Sequence, residues 1–297
     1  MAYLVPTIFG ITFNPFDIYR LSVGYEAFER NYLAVRWIIS KGIRSSRFTI
    51  IAAEVGNLSC LQYLHEKKCK WNKWTNAAAA KNGHLEVLQY LHENNCKWDR
   101  DTCKRASQNG HLDCLIYAHE QGCEWNRQSS YGAAKNGHLN CLQYLHKEGC
   151  TWNGNIPIYS AANGHLDCLI YAHENGCALR REIYNIATAN GHLDCLQYIH
   201  KNSTHSWDST TCETAAMNGR LSILVYLHEE DCPWDSSTCE AAVRYRHLDC
   251  LIYAIENGCP WNDRIYKYID DNDILQYLEV KGYVPHKPVV YYLWDVE

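Results

Sequence analysis

The feature that most constrains this chain is a short string, Asn-Gly-His-Leu, that recurs every 27 residues. Its glycines are Gly83, Gly110, Gly137, Gly164 and Gly191, and weaker copies occur at Gly56, Gly219 and Arg246. A fixed period of this length is typical of a tandem array, in which each copy is one supersecondary unit that buries its apolar face against its neighbours. Function is therefore expected on a long shared surface and not in a single pocket.

The unit from Asp101 to Asn126 is taken as a representative repeat. Asp101 and Thr102 are predicted to cap a first helix that ends at Asn109-Gly110. A second helix is predicted to begin at His111, because buried-type residues then recur at the spacing of one helical face. These residues are Cys114, Leu115, Ala118 and His119. Each unit is thus predicted to fold as helix, turn, helix and loop.

The residue pairs of this unit resemble those of an ankyrin repeat. The Gly-His at 110–111, the apolar pair at 114–115, the pair at 118–119 and the Gly-Cys at 122–123 match the ankyrin Gly-His, Val-Val, Leu-Leu and Gly-Ala. The resemblance implies an all-α fold, an ankyrin-like α-solenoid of about ten helix-turn-helix units. Ankyrin units usually run to about 33 residues, so the inter-repeat loops are expected to be shortened and to lack the long projecting hairpin.

The array is predicted to span residues 25–283 and to be flanked by two atypical segments. Residues 1–24 are interpreted as an N-terminal cap or, alternatively, as a short recruitment segment resembling a degenerate F-box helix. Residues 284–297 are interpreted as a C-terminal tail. Atypical end units are expected in such arrays, because each terminal unit exposes one face to water.

The charge of the chain excludes some classes of partner. The net charge is -5 and the pI is about 6.3, whereas general nucleic-acid binding needs a surplus of clustered Lys and Arg. The sequence shows no such cluster, so no nucleic-acid partner is predicted. The apolar start, Met1 to Phe13, has no preceding basic residue and is too short to span a bilayer, so neither a secretory signal nor a membrane span is expected.

The 16 cysteines recur at three positions of the repeat. Cys114 and Cys123 of one unit would lie about 13 Å apart along a helix, whereas a disulfide needs Cα atoms within about 7 Å. We therefore interpret the cysteines as small buried thiols, which indicates a reducing, intracellular compartment.

The histidines that accompany these cysteines raise two chemical alternatives. A zinc site is disfavoured because structural zinc prefers closely spaced Cys pairs and no Cys-x-x-Cys occurs. A Cys-His catalytic pair is disfavoured because the thiols are equivalent copies, whereas catalysis needs one nucleophile in a distinct environment. The sequence predicts no catalytic residue, no metal and no cofactor.

A second series of large residues lies in the loops that join the units. Its members are Trp71, Trp98, Trp125, Trp152, Trp207, Trp234 and Trp261. A Trp in each loop supplies rigid contact area of the kind found at protein interfaces, or it packs across its own helix pair in place of the missing hairpin. Packing is the favoured interpretation, because an exposed Trp in every unit would promote aggregation.

The Trp series is interrupted at Leu179, which is followed by Arg180 and Arg181. Such a break marks a docking site, a change in superhelical pitch, or the sequence divergence of an old duplicated repeat. The seven Trp and the two Arg are the partner-binding candidates of the sequence.

These observations predict a non-catalytic, monomeric scaffold that binds a protein partner through its repeats. The alternatives are a substrate-recruiting adaptor of a ubiquitin ligase, acting through residues 1–24, and a structural component of a virus particle. The residue pattern of the repeats resembles that of ankyrin families abundant in giant DNA viruses of amoebae. This resemblance implies an intracellular role in a host cell.

Overall fold

In a computed structural model of the chain, residues 7–8, 11–12, 35–36, 39–152 and 154–283 are described. The predicted N-terminal segment therefore lies outside the described residues except at four positions, and the predicted tail 284–297 lies wholly outside them. The four positions form an antiparallel pair of strands, β1 (Thr7–Ile8) and β2 (Ile11–Thr12). The all-α prediction does not include this pair; the rest of the regular structure in the described residues is helical.

The chain divides into two compact units, Met1–Asn153 and Gly154–Glu297. The first unit has four helix pairs in its described residues, preceded by helical residues at 35–36 and 39–40. The pairs are α1 (Ser46–Glu54) with α2 (Leu58–Glu66), α3 (Lys73–Lys81) with α4 (Leu85–Glu93), α5 (Arg100–Gln108) with α6 (Leu112–Glu120), and α7 (Arg127–Lys135) with α8 (Leu139–Lys147).

The second unit repeats the same plan five times. Its pairs are α9 (Ile156–Ala162) with α10 (Leu166–Glu174), α11 (Glu182–Asn190) with α12 (Leu193–Asn202), α13 (Ser209–Met217) with α14 (Leu221–Glu229), and α15 (Ser236–Arg244) with α16 (Leu248–Glu256). In the last pair, the 3-10 helix Asp263–Tyr268 replaces a first helix and precedes α17 (Asn272–Val280). The predicted helix, turn, helix and loop order is confirmed in the described residues.

Five of the first helices, α3, α5, α7, α13 and α15, begin at an Asn or Asp whose side chain caps the helix. Asp99 has an extended backbone, and its carboxylate accepts a hydrogen bond of 2.9 Å from the backbone N–H of Asp101. Asn126 caps α7 in the same way. The prediction that Asp101 and Thr102 cap α5 is wrong, because both lie inside the helix and the extended residue before it is Asp99.

The second helices bury one stripe of small and apolar side chains. In α6, Cys114, Leu115 and Ala118 are each at most 2% exposed, as their helical spacing predicts. The facing helix α5 buries Cys103 and Ala106, which are fully inaccessible. Small residues at these positions let the two helices pack closely, so the core of each unit is a continuous stack of thin layers.

The cysteines that follow the second helices connect neighbouring loops. The Sγ atom of Cys123 donates to the carbonyl oxygen of Asp99 at 3.4 Å. Equivalent thiol-to-carbonyl contacts join Cys96 to Asn72, Cys150 to Asn126, Cys232 to Asp208 and Cys259 to Asp235. A buried thiol thus acts as a small apolar residue that also satisfies one loop carbonyl.

Candidate partner-binding surface

Six of the seven predicted loop Trp residues lie against histidines of their own helix pairs. The rings of His119 and Trp125 lie 3.5 Å apart between centroids, with an angle of 23° between their planes. The same pairing joins His65 to Trp71, His92 to Trp98, His146 to Trp152, His200 to Trp207 and His228 to Trp234. The recurring histidines of the second helices are therefore the platforms on which the indoles lie.

A tyrosine of the following helix pair completes each aromatic cluster. Tyr144 stands edge-on to both His119 and Trp125, at centroid distances of 5.9 and 6.0 Å. Its hydroxyl oxygen lies 3.0 Å from Nδ1 of His119, within hydrogen-bonding distance. Equivalent contacts link His65 to Tyr90, His92 to Tyr117, His173 to Tyr198 and His228 to Tyr253. Each cluster thus joins one repeat to the next.

The loop Trp residues are consequently not displayed freely to solvent. Six of the seven are half-buried, and Trp207 is buried with 9% of its surface exposed. Trp261 packs against Tyr266 and Tyr283 instead of a histidine, because Ile255 takes the histidine position in that repeat. The contacts give these indoles a structural role, and partner binding through them stays a prediction.

The break in the Trp series has its own local packing. Leu179 is only 5% exposed and joins the hydrophobic core of the second unit. Tyr184 fills the adjacent interior, where its hydroxyl donates to the carbonyl oxygen of His205 at 2.8 Å and its ring meets Trp207 edge-on. The smaller Leu179 thus replaces an indole without leaving the core open.

Arg180 and Arg181 lie on the surface beside this break. Arg181 is exposed and pairs with Asp208 of the next repeat, and Arg180 lies 3.8 Å from the carboxylate of Glu182. Arg181 and Asp208 also line a surface depression of about 300 Å³ that includes Trp207. The structure places Arg181 near one candidate Trp, and binding of a partner at this depression stays a prediction.

The cysteines lie in the interior of the repeats. All sixteen are buried and form no disulfide. Burial, followed by the nearby Asp113 carboxylate, raises the pKa of the Cys114 thiol to about 12, and burial raises that of Cys96 to about 11. Since the thiolate is the nucleophile and metal ligand, the raised pKa holds the thiols of Cys96 and Cys114 in their unreactive form.

Two absences are observed in the described part of the chain. There, no group of three or more His, Cys, Asp or Glu side chains is arranged to hold a metal ion. None of the helices in the described residues combines the length and hydrophobicity needed to cross a membrane.

The first helices of the first unit present many basic side chains on one side. Positions 1, 2, 5, 6 and 9 of a nine-residue helix lie on one half of its circumference, since each residue turns by about 100°. In α1, α3, α5 and α7 these positions carry eight basic residues and two carboxylates. The basic residues are Arg47, Lys73, Lys81, Arg100, Lys104, Arg105, Arg127 and Lys135; the carboxylates are Glu54 and Asp101. We call this surface the basic face.

The basic face corrects one prediction from the sequence. The statement that the chain has no cluster of Lys and Arg is wrong for these four helices, because the cluster is assembled from residues that lie far apart along the chain. Seven of its eight basic residues are exposed. The repeat period provides the missing signal, since aligning the first helices brings their basic positions together.

Part of this positive charge is neutralised within the unit. Ion pairs join Lys73 to Asp99, Lys81 to Glu54, Arg100 to Glu124 and Lys104 to Asp101. By contrast, Arg47, Arg105 and Arg127 are exposed and form no ion pair with any of the described carboxylates. These three arginines are the unneutralised charges of the basic face.

Trp74 lies on the same face and differs from the loop Trp residues. It occupies position 2 of α3 and is 49% exposed. The ammonium group of Lys73 lies 5.0 Å from its ring centroid. Trp74 is absent from the predicted candidates because it falls outside the 27-residue Trp series; its solvent-facing helical position is the signal that identifies it.

The two units differ in charge. The first contains 18 Lys and Arg against 13 Asp and Glu, whereas the second contains 10 against 20. In the second unit, the first helices α9, α11, α13 and α15 carry three carboxylates, Glu182, Glu213 and Glu240, and one basic residue, Arg244. The basic face is therefore a property of the first unit and not of the repeat itself.

Comparisons with known proteins agree with this architecture. Residues 50–92 and 103–183 match family models described as ankyrin repeats. The ankyrin repeat domain of human ASB11 has a similar solved structure, with a TM-score of 0.50, 16% sequence identity, and coverage of 60% of this chain and 96% of that chain. Comparison with curated protein sequences gives no match. The predicted ankyrin-like α-solenoid is confirmed as the fold class, and the chain contains ankyrin repeats.

Proposed function

We propose that this chain of ankyrin repeats is a non-catalytic scaffold that binds a protein partner through exposed side chains of its repeats. Ankyrin repeats generally mediate protein–protein interaction, and the described residues have the architecture of such repeats. One observation carries the proposal: the Cys, His, Tyr and loop Trp residues that recur in most units are used in packing between repeats. Recognition then depends on the surface that this packing leaves exposed, which includes the edges of the half-buried indoles.

The state of the cysteines and histidines supports a non-catalytic role. The thiols are buried, and burial keeps the pKa of Cys60, Cys114 and Cys141 near 12. The histidines beside them stack on indoles and contact tyrosine hydroxyls. A nucleophile needs a lowered pKa and a base within reach, and the raised pKa of these three thiols opposes a nucleophilic role.

The loop Trp residues, Arg180 and Arg181 remain our candidates for partner contact. The exposed edges of the half-buried indoles and the two surface arginines are residue types that dominate protein interfaces. Because the indoles also hold neighbouring repeats together, replacing them with Ala would confuse binding with unfolding. Replacement with Phe keeps an aromatic ring on the histidine and removes the indole edge.

Proximity labelling tests this function in cells that express the chain. We expect wild type to label a discrete set of proteins, and either the W98F/W125F or the R180A/R181A variant to lose members of that set. A variant with Gln62→Ala and Gln143→Ala, both exposed on second helices, is the matched control and should lose none. The absence of labelled proteins with wild type contradicts the scaffold; full retention by both variants contradicts the candidate residues.

Narrower roles rest on the sequence. The intracellular setting is supported by sixteen free cysteines, since disulfides persist in oxidising compartments. A host-cell or viral setting rests only on the style of the repeats, as does a place in a virus particle. A ubiquitin-ligase adaptor would bind cullin-type components through residues 1–24. Deleting that segment should then abolish the association and leave other partners bound; unchanged association excludes the adaptor.

A further inference from the structure

The basic face carries four side chains that the packing of the repeats does not require. It carries Arg47, Arg105 and Arg127, which form no ion pair with described carboxylates, and Trp74, which is about half exposed. These residues lie on the solvent side of α1, α3, α5 and α7. Arg and Trp are the residue types enriched among the few interface residues that carry most of the binding energy.

We propose that the basic face binds an acidic, extended segment of a partner protein, with Trp74 contacting an apolar side chain of that segment. This inference rests on the proposed scaffold function and gives the chemistry of the partner. Carboxylates complement the unneutralised arginines, because the planar guanidinium group offers paired N–H donors that match a carboxylate. The segment crosses the four helices instead of entering a pocket.

The spacing of the helices sets the length of the segment. Packed helices lie about 8–10 Å apart, so four neighbouring first helices span about 30 Å. An extended chain advances about 3.3 Å per residue, and a segment of about ten residues covers this distance. Arg47 in α1 and Arg127 in α7 then contact opposite ends of the segment, and Trp74 in α3 contacts its interior.

Charge complementarity favours this occupant over two others. A nucleic acid would approach a chain whose second unit holds 20 carboxylates against 10 basic residues. This excess of carboxylates repels phosphates. A second copy of the chain would offer few carboxylates on the corresponding surface, since α11, α13 and α15 carry one each at Glu182, Glu213 and Glu240. An acidic segment places several carboxylates along one line.

The ion pairs already present explain why the three arginines are the residues to change. Lys73, Arg100 and Lys104 hold Asp99, Glu124 and Asp101, so replacing them would alter contacts within the unit. Arg47, Arg105 and Arg127 are exposed and have no such partner among the described residues. Their reversal to Glu changes the charge of the face and leaves the ion pairs intact.

The test measures binding of fluorescein-labelled 12-residue peptides to the full chain by fluorescence anisotropy. One peptide alternates Glu and Asp around a central Leu, a second replaces that Leu with Glu, and a third replaces every acid with its amide. The variants are R47E/R105E/R127E and W74A. The charge-matched control is K201E/R264E/K267E, which changes exposed residues of the second unit. Circular dichroism and thermal midpoints check that each variant is folded.

The proposal predicts that wild type binds the Leu-containing acidic peptide, and that binding weakens with added salt. Binding should fall at least tenfold in R47E/R105E/R127E and less than twofold in the control. W74A should weaken binding of the Leu-containing peptide about fivefold and leave the all-acidic peptide unchanged. Failure of wild type to bind, or equal loss in the triple variant and its control, overturns the proposal.

Two further outcomes identify a different occupant and also overturn it. A labelled 12-nucleotide single strand that binds tighter than the peptides, through the same arginines, indicates nucleic acid. Self-association in sedimentation that the triple variant abolishes indicates a second copy. The triple variant is also used in proximity labelling: if it keeps every labelled partner, the acidic segment is excluded while the scaffold function stands.

Discussion

The imidazole of His138 packs directly against Gly110 in the turn of the preceding helix pair, so a Cβ atom at residue 110 would lie 2.5 Å from its Nδ1. The same contact joins His84 to Gly56 and His111 to Gly83. Where Arg220 replaces this histidine, its guanidinium lies against Gly191 and donates to the carbonyl of Ala189 at 3.2 Å. The recurring Gly-His therefore fixes the turn of the neighbouring repeat.

This contact predicts a difference between two Gly→Ala variants. Gly110 and Gly122 both have positive φ, +77° and +83°, but nothing lies near a Cβ at residue 122. Gly122→Ala should lower the free energy of unfolding by about 1 kcal/mol, from backbone strain alone. Gly110→Ala should cost about 3 kcal/mol, because the imidazole must also move. Urea unfolding measures both; equal losses contradict the inter-repeat contact.

The aromatic clusters predict unequal losses of stability for two Trp→Ala variants. Trp125 stacks on His119 and meets Tyr144, so its replacement removes packing on both sides of a repeat boundary. We expect a loss of about 2–3 kcal/mol in the free energy of unfolding. Trp74 is about half exposed, and Trp74→Ala should change stability by less than about 0.5 kcal/mol. A small loss in both variants would mean that Trp125 does not pack as described.

The cap of α5 predicts a pH-dependent contribution. The backbone N–H of Asp101 and the ammonium of Lys73 hold the pKa of Asp99 below its usual 3.8. The stabilisation is therefore present above about pH 4 and is lost as the pH falls through the lower pKa of the folded state. Asp99→Ala should cost about 1 kcal/mol at pH 7. Asp99→Asn keeps a cap, as Asn126 does for α7, and should cost less and show no such acid dependence.

The buried thiols predict a loss of stability at alkaline pH. Burial raises the pKa of Cys114, Cys141 and Cys195 from 9.0 to about 12. Between these values the unfolded thiols ionise and the folded ones stay protonated, so stability falls as the pH rises above 9. Each thiol contributes about 1.4 kcal/mol per pH unit. Urea titrations under reducing conditions at pH 8 to 10 measure the slope, which Cys114→Ala should reduce. A slope unchanged in that variant contradicts burial of Cys114.

Much of the fold follows from the period of the sequence. A string repeated every 27 residues requires equivalent local structures, and the spacing of Cys114, Leu115 and Ala118 identifies the buried face of a helix. The start of α5 is less certain from sequence alone, because Asp99, Asp101 and Thr102 are all good caps and the backbone decides among them.

The candidate surface depends on contacts that the sequence does not show. Whether an indole packs or projects depends on the platform beneath it, and that platform is a histidine in the preceding helix together with a tyrosine of the next repeat. The basic face does not show as a run of basic residues in the sequence, because Arg47, Arg105 and Arg127 belong to different helices. Trp74 and Trp71 are close in sequence, yet only the helical position of Trp74 gives it an exposed ring.

A double-mutant cycle on His92 and Tyr117 tests most directly whether the recurring aromatic residues join neighbouring repeats. Nδ1 of His92 lies 3.1 Å from the hydroxyl oxygen of Tyr117, 25 residues further along the chain. The free energies of unfolding of wild type, His92→Ala, Tyr117→Phe and the double variant give the coupling energy. We predict a coupling of about 1 kcal/mol, and less than about 0.2 kcal/mol for the same cycle with Tyr245→Phe in place of Tyr117→Phe. No coupling between His92 and Tyr117 would contradict the account.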